Sequence, residues 1–278
     1  MVNLIQLFVS KILTYKRHAL PLRILREPIE RWIVNRGMQD TKLTRVDVQT
    51  TTECNLACPW CPKSGHAGKK PIRTMDIDLY KSIVKQLVDM NFNGSFIPFM
   101  MAEPLCDSRI VELVQIAATS LPKAKIVITT NGRLLTWPVY YAIMQCPNVV
   151  MTIDDYSTDH RVIRLVEGWH TPEDMACRTT LYDRSKGPLS RINIVGYLHS
   201  KFTLPLRQGC KLPFHQLAVR FDGKALRCCT DWEGQGIYGD LTIDSIKDVR
   251  LRQIQIRDEL LNSHRTGMCV RCDYMGAL

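Results

Sequence analysis

The sequence predicts an α/β fold in which a large domain carries a small C-terminal appendage. From residue 45 onward, short β-type segments alternate with helical ones, a pattern typical of a parallel sheet with right-handed crossovers. The length of 278 residues suits one large domain plus such an appendage. Hydrophobic residues make up 45% of the chain, which is ordinary for a globular protein.

The first 42 residues are predicted to form one or two helices. Apolar residues recur there at roughly helical spacing, Pro21 and Pro28 mark breaks, and basic side chains occupy the polar faces. The simpler interpretation is a helical extension that packs on the main domain with a solvated basic face. Contact with a membrane surface or a partner is the alternative.

Five strands and several helices are predicted in the rest of the chain. The strands are placed at 45–50, 95–100, 125–130, 148–153 and 191–197, and the helices at 76–90, 108–120, 136–145, near 158–167 and at about 243–262. Residues 155–190 are otherwise poorly periodic and are expected to include a loop that covers the site. Residues 217–227 predict a hairpin with Asp222-Gly223 at its turn. The predicted units are therefore an extension over 1–42, a main domain over 43–205 and a C-terminal domain over 206–278.

Charge and hydropathy limit the partners and the location. The net charge of +10 suits an anionic ligand, a nucleic acid or an anionic membrane without choosing among them. No basic block or nucleic-acid module is present, so we expect a small-molecule partner and no nucleic acid. No apolar run is long enough to span a bilayer. Without a convincing signal peptide, and with eleven cysteines that fall largely in close clusters, the chain is expected in the reducing cytoplasm.

The segment 54–61 holds three cysteines at the spacing C-x3-C-x2-C. Three thiolates on one loop can hold three corners of a cubane iron–sulfur cluster, which leaves the fourth iron open to a small molecule. Zinc is the alternative, since His66 could supply a fourth ligand to the three cysteines. The loop follows the first predicted strand, and parallel sheets carry their sites at the carboxyl ends of their strands.

Four motifs in this order resemble those of the radical S-adenosylmethionine (radical SAM) enzymes. The cysteine loop is similar to the family's C-x3-C-x-aromatic-C segment, and residues 101–104 (Met-Ala-Glu-Pro) are similar to its G-G-E-P motif. Residues 129–132 (Thr-Thr-Asn-Gly) resemble the T-N-G turn, and residues 152–155 resemble the S-x-D segment. Each motif is weak alone, but four on successive predicted strands are specific. The resemblance covers about residues 45–200.

This resemblance implies a partial (β/α) TIM-like barrel that holds SAM on an open [4Fe–4S] cluster. Reductive cleavage of SAM would then give methionine and a 5′-deoxyadenosyl radical, with electrons from a flavodoxin- or ferredoxin-type donor. Glu103 would pair with the SAM ammonium, although Met101 and Ala102 replace the motif's two glycines. The implied cluster ligands are Cys54, Cys58 and Cys61, and the implied SAM contacts are Trp60, Ala102, Glu103, Thr130, Asn131, Thr152 and Asp154.

A second cysteine group lies near the C-terminus. Cys210, Cys228, Cys269 and Cys272 follow the spacing C-x17-C-x40-C-x2-C, and Cys229 could replace Cys228. The group and its hairpin resemble the twitch domain, a shortened SPASM domain that carries one auxiliary [4Fe–4S] cluster. A four-cysteine zinc site is the alternative.

A single auxiliary cluster in a short chain is most like the radical SAM dehydrogenases that oxidise an aminocyclitol hydroxyl. The implied reaction takes hydrogen from a carbinol carbon, removes the hydroxyl proton with a base, and passes the remaining electron to the auxiliary cluster. The basic balance would suit a sugar that carries a phosphate or nucleotide. The candidate bases or anchors are Asp231, His215, Arg191 and Tyr238, and Cys106 is a candidate hydrogen-atom donor.

Two other functions remain open from the sequence. One is crosslinking or epimerisation of a ribosomally made peptide, although the 42 residues before the core are too few for the usual peptide-recognition domain. The other is a non-enzymatic iron–sulfur electron carrier or redox sensor. Cleavage of SAM by the reduced protein would separate the enzymes from the carrier.

Overall fold

A mixed sheet of eight strands forms the centre of the molecule. The computed structural model describes residues 42–58, 61, 71–185, 210, 212–231, 234–261 and 267–271. The strands are β1 (Arg45–Val48), β2 (Ser95–Ile97), β3 (Lys125–Thr130), β4 (Val149–Asp155), β5 (Thr179–Asp183), β6 (Gln216–Val219), β7 (Lys224–Leu226) and β8 (Ile237–Asp240). Their order across the sheet is β5-β4-β3-β2-β1-β6-β7-β8. Strands β1 to β6 are parallel, and β7 and β8 are antiparallel additions at one edge.

Five of the described helices agree with the predicted ones to within about one turn, and two short ones, α5 and α6 below, were not predicted. They are α1 (Ile77–Asp89), α2 (Ile110–Ser120), α3 (Trp137–Met144), α4 (Arg161–Glu167), α5 (Glu173–Ala176), α6 (Leu212–His215) and α7 (Ile246–Leu261), with 3-10 turns at Pro104–Cys106 and Gly267–Arg271. Asp76 shows why α1 begins where it does, because its side chain accepts hydrogen bonds from the backbone N–H groups of Asp78 and Leu79. None of the described helices is long and apolar enough to cross a membrane.

The hydrophobic core lies between the helices and one face of the sheet. Val46, Val48 and Phe96 belong to it and are fully buried. Tyr80 of α1 packs edge-on against Phe96 and donates its hydroxyl to the Leu113 carbonyl of α2, 2.8 Å away. Burial of each such large side chain stabilises the fold by about 1.5–3 kcal/mol. Side chains alternate along a strand, so every second residue of these strands points to the opposite face of the sheet. There the strands carry polar groups such as Asp47, Thr129 and Thr152.

Strand β5 is a parallel strand that the sequence did not predict. The predicted strand at 191–197 lies outside the described residues, and β5 occupies Thr179–Asp183, in a stretch expected to be irregular. Strand β5 is an edge strand that pairs only with β4, and most of its side chains are partly or fully exposed. It therefore lacks the alternation of buried and exposed residues on which strand prediction depends.

The predicted hairpin is confirmed as β6 and β7, with Ala218 opposite Leu226. Gly223 closes the turn with a positive φ of 81°, a conformation that glycine adopts without steric cost. Strand β6 also pairs in parallel with β1, so the hairpin extends the main sheet. Because β7 runs back along β6, Cys228 at its end lies near the amino-terminal edge of the sheet. The predicted boundaries at residues 42 and 205 remain predictions.

Candidate functional site

The cysteine loop leaves the carboxyl end of β1 and is closed at its base. The Thr52 N–H donates to the Arg73 carbonyl, and the Arg73 N–H donates to the Thr52 hydroxyl, both at 2.9 Å. Cys54, Cys58 and Cys61 are half-buried, and the Cys61 N–H donates to the Cys58 carbonyl at 2.9 Å. The base of the loop is therefore fixed to the sheet while its thiols remain partly open to a ligand.

The three thiols are close enough to influence one another electrostatically. The pKa of Cys58 is raised to about 11, chiefly by burial and then by the neighbouring Cys61 and Cys54 sulfurs, while Arg133 opposes the rise. Thiolates held this close repel one another unless positive charge lies between them, which iron supplies when it binds and deprotonates its ligands. The donor set therefore fits an iron–sulfur cluster.

The geometry argues against a single metal ion at this loop. Among the residues that the structure describes, no three His, Cys, Asp or Glu side chains converge well enough to hold one ion. A cubane does not require such convergence, because each thiolate binds a different iron. The predicted fourth zinc ligand, His66, lies outside the described residues.

Glu103 is the centre of a buried hydrogen-bond network beside the loop. Its carboxylate is only 3% exposed and accepts hydrogen bonds from the Thr130 hydroxyl, the Asn131 N–H at 2.8 Å and the Leu105 N–H at 3.1 Å. Burial raises the pKa of Glu103, and these three donors oppose that rise. A carboxylate offers about four acceptor positions, so about one remains for a ligand. The Glu103 carboxylate therefore holds the neighbouring turns in place and still has an acceptor position for the predicted ammonium group.

Two further hydrogen bonds join this network to the cysteine loop. The Asn131 side chain donates from Nδ2 to Oδ1 of Asn55 at 2.8 Å, and the Glu103 N–H donates to the Glu53 carbonyl at 2.9 Å. Gly132 next to Asn131 has a φ of 71°, and a Cβ there would come within 2.4 Å of Val162. The ends of β1, β2 and β3 thus meet in one site, as the order of the motifs predicted.

Met101 occupies a backbone conformation that glycine would adopt more easily. Its φ is 52°, in the left-handed region, and its side chain packs against a small apolar cluster of Met100, Ala218 and Leu226. Met101 therefore has a left-handed conformation at a position where the family motif has glycine. The packing of its side chain offsets the conformational cost.

Replacing Met101 by glycine is expected to leave the protein more stable than replacing it by alanine. Both variants lose the same packing, but only Met101→Gly relieves the left-handed strain, by about 1 kcal/mol. In ordinary backbone the order is reversed, since glycine is the more destabilising residue. Urea unfolding of the two apo variants measures the difference. A more stable Met101→Ala variant would show that this residue does not hold the left-handed conformation in solution.

The ends of β4 and β5 supply a charged and aromatic rim. Asp154 accepts a hydrogen bond from Nε of Arg184 at 2.8 Å. Tyr156 lies near it, and burial raises the pKa of Tyr156 to about 12, with Asp154 and Cys58 as further causes. Tyr156 and Arg184 were not among the predicted site residues. Their only sequence signal is that each directly follows a strand of the parallel sheet. Thr152 faces the same side as Thr129 in the middle of the strands.

Several predicted catalytic residues have structural roles or lie away from this edge. Asp231 is 1% exposed, and its two carboxylate oxygens accept the backbone N–H groups of Gln235 and Gly236. His215 is at the amino-terminal edge of the sheet, where its carbonyl accepts the Thr44 N–H at 2.9 Å. The Asp231 carboxylate therefore holds a turn, and Nδ1 of His215 lies 3.4 Å from the Lys42 carbonyl. Tyr238 packs against the main core from β8. Trp60 and Arg191 lie outside the described residues.

Three of the four cysteines of the second group are described, and Cys272 is not. Cys210, Cys228 and Cys269 are half-buried. The Cys228 sulfur lies 3.1 Å from the Thr230 hydroxyl and also exchanges a hydrogen bond with Cys229. Cys229 in turn receives a hydrogen bond from Gln216 and packs against the same apolar cluster as Met101. The apolar cluster therefore lies between the turn that contains Met101 and the second cysteine group.

A family model identifies the chain. The model described as the Radical SAM superfamily matches residues 48–196, which is more than half of the sequence. The chain belongs to the radical SAM superfamily. It is therefore an enzyme that uses S-adenosylmethionine and a [4Fe–4S] cluster, and that cofactor pair cleaves SAM reductively to start radical chemistry. Cys54, Cys58 and Cys61 are the residues of this chain that fit the cluster.

This radical SAM protein is also similar to individual relatives. It is 23% identical over 252 residues to an S-adenosyl-L-methionine-dependent 2-deoxy-scyllo-inosamine dehydrogenase of Niallia circulans, covering 84% of this chain and 94% of the relative. The crystal structure of BtrN in complex with AdoMet and 2-DOIA matches with a TM-score of 0.73 at 23% identity, over 84% of this chain and 94% of that one. Streptococcus suis SuiB bound to the precursor peptide SuiA matches with a TM-score of 0.56 at 11% identity, over 97% and 86% of the two chains. The structural matches establish the fold.

Proposed function

We propose that this radical SAM enzyme is a dehydrogenase that oxidises a hydroxyl of an aminocyclitol or related sugar. The observation that carries the proposal is the bonded site at the carboxyl edge, where Asn131 joins the cysteine loop to the Glu103 network. The curated relative with dehydrogenase activity supports the choice of reaction, since it aligns along 94% of its own length. The proposed reaction requires one auxiliary cluster, and this agrees with a single second group of cysteines.

We infer that SAM lies across the ends of β1 to β4. Cys54, Cys58 and Cys61 would hold the cluster, and the one acceptor position left on Glu103 would face the SAM ammonium. Ala102 and Asn131 flank that carboxylate, Asp154 lies near the end of β4, and Thr152 lies two residues earlier on the same face of that strand. Arg184 already pairs with Asp154, so a carboxylate or hydroxyl of a ligand there would meet a guanidinium held in place.

The substrate would lie on the face of the sheet opposite the main hydrophobic core. Met101 and Cys229 both pack on the apolar cluster formed by Met100, Ala218 and Leu226. A substrate that binds over this apolar cluster would lie between the turn that contains Met101 and the second cysteine group. The electron left after hydrogen abstraction then has a short path to an auxiliary cluster on Cys210, Cys228, Cys269 and Cys272. Arg191, Tyr238, His215 and Asp231 remain the proposed bases or anchors, and the Asp231 carboxylate also accepts two backbone N–H groups.

The expected partners follow from this chemistry. A flavodoxin- or ferredoxin-type protein would supply the electron for SAM cleavage, and the cytoplasm would keep the cysteines reduced. The net charge of +10 is favourable for an acidic electron donor or for a substrate with a phosphate.

Removal of the second cysteine group tests the dehydrogenase proposal. The variant Cys210→Ala/Cys228→Ala is expected to lose about four of about eight irons and to cleave SAM without forming a ketone. The substrates are 2-deoxy-scyllo-inosamine and related polyols deuterated at the carbinol carbon, and the products are measured by mass spectrometry. Deuterium should appear in 5′-deoxyadenosine with the wild type.

The matched control is Cys177→Ala, which changes an exposed cysteine whose thiol donates a hydrogen bond to the nearby Asp174 carbonyl at 3.1 Å. It should keep both the iron and the ketone. Full ketone formation by the double variant would contradict the role of the auxiliary cluster. SAM cleavage without deuterium transfer from any polyol would contradict the substrate class.

A further inference from the structure

Helices α3 and α4 carry a group of exposed apolar side chains. Leu134, Tyr141 and Leu165 are 45%, 43% and 48% exposed. Trp137 and Trp169 are half-buried, and their rings meet edge to face with centroids 5.6 Å apart, which joins the two helices. Trp137 also contacts Tyr141, with ring centroids 5.5 Å apart. Single exposed apolar side chains are ordinary, but these five residues, the tryptophan patch, form a group of the kind that marks a contact surface.

One end of the tryptophan patch is tied to the cysteine loop. Leu134 follows Arg133, whose N–H donates to Oδ1 of Asn131 at 3.0 Å. Nδ2 of the same Asn131 donates to Oδ1 of Asn55 in the loop at 2.8 Å. Burial is the main cause of the raised pKa of Cys58, and Arg133 is near enough to oppose that rise. The patch therefore begins beside the thiols that fit the SAM-cleaving cluster.

Basic side chains lie at this end of the tryptophan patch. The turn before Arg133 packs on the start of α4, because a Cβ on Gly132 would come within 2.4 Å of Val162. Arg133 and Arg161 are both exposed, and neither forms an ion pair with another described residue. The other exposed charged side chains of α4 and the turn before it are the pair Asp159–Arg164, and Glu167. The surface nearest the cysteine loop is therefore basic and suits an acidic partner.

We propose that the tryptophan patch is the docking surface for an acidic electron-carrier protein that reduces the SAM-cleaving cluster. An apolar centre beside exposed arginines is complementary to such a carrier, and complexes between redox partners often bury less than about 1,200 Å² in total. Helices α3 and α4 pack on the core face of the sheet, whereas the proposed substrate position is on the opposite face. A carrier bound to the patch would thus lie beside the cysteine loop and leave the substrate position open.

The experiment compares two sources of electrons for SAM cleavage in the reconstituted enzyme. Leu134→Glu and Leu165→Glu each place a negative charge in the tryptophan patch, where it would repel an acidic carrier. The matched controls are Ile243→Glu and Leu251→Glu, which change apolar side chains that are 83% and 64% exposed at α7 and the turn before it. Formation of 5′-deoxyadenosine is measured with reduced flavodoxin over a range of concentrations, and separately with dithionite.

We expect each patch variant to raise the KM for flavodoxin roughly ten-fold and to keep the wild-type rate with dithionite. The two controls should match the wild type with both reductants. An unchanged KM for flavodoxin in both patch variants would overturn the proposal, as would an equal loss with dithionite, which would assign the patch to the site itself. Patch variants that turn a wild-type dimer into monomers without changing the flavodoxin kinetics would instead show an interface between two copies of the chain.

This test is independent of the proposed dehydrogenase reaction. The readout is cleavage of SAM, which requires no polyol and is common to the superfamily. An enzyme that forms no ketone from any polyol would contradict the proposed function and leave the flavodoxin comparison intact. A wild-type enzyme that cleaves SAM with dithionite, but with neither flavodoxin nor a ferredoxin, would contradict the docking proposal alone.

Discussion

Replacement of Cys54, Cys58 and Cys61 together by alanine is expected to abolish cleavage of S-adenosylmethionine. These are the only thiols on the loop at the carboxyl end of β1, and their mutual effect on the pKa of Cys58 shows that they share one site. Without them no cluster can be held there, and no electron can reach SAM. The yield of 5′-deoxyadenosine from the reduced protein should fall below detection, and bound iron should fall by about four.

The rest of the protein should survive this change. The three side chains are half-buried and do not belong to the hydrophobic core, so the variant should unfold at nearly the same denaturant concentration as the wild-type apoprotein. A Cys146→Ala/Cys177→Ala variant controls for removal of cysteines elsewhere and should retain both iron and cleavage. Persistent 5′-deoxyadenosine formation by the triple variant would contradict the assignment. A loss of all iron would indicate that the second cysteine group holds no cluster.

The sequence was sufficient to place the site because its informative residues are local. Cys54, Cys58 and Cys61 are a few positions apart, and Glu103 and Asn131 each follow a strand with clear apolar character. Strand order in a parallel α/β fold then brings their turns to one edge without further information. The same reasoning predicted the hairpin, because Asp222-Gly223 favours one type of turn.

Contacts between distant segments could not be predicted in this way. The pair Arg184–Asp154 depends on β5, an exposed edge strand whose sequence has no helical or alternating period. The Asp231 carboxylate accepts the backbone N–H groups of Gln235 and Gly236, and Nδ1 of His215 lies 3.4 Å from the Lys42 carbonyl. These partners are backbone groups whose placement the sequence does not specify.

The second large effect is expected at Glu103, where loss of the carboxylate should disrupt the site from within. Glu103→Ala leaves the Thr130 hydroxyl and the Asn131 N–H without their buried acceptor. Hydrogen bonds to a charged group are worth about 1.5–3 kcal/mol each, although their losses are not additive. We expect a destabilisation of about 3 kcal/mol and, because Asn131 also holds Asn55, a roughly hundred-fold weaker binding of SAM.

Glu103→Gln distinguishes the charge of this side chain from its shape. Its amide oxygen can still accept the Asn131 N–H, and the Thr130 hydroxyl can turn to accept from the amide nitrogen. The Leu105 N–H loses its acceptor, so only part of the stability should return. If the carboxylate also faces the SAM ammonium, SAM binding should nevertheless stay weak in Glu103→Gln. Urea unfolding and equilibrium binding of SAM to the reconstituted protein measure the two effects, with the exposed Glu112→Ala as control. Recovery of SAM affinity together with stability would mean that Glu103 only shapes the site, and that the ammonium is held by other groups.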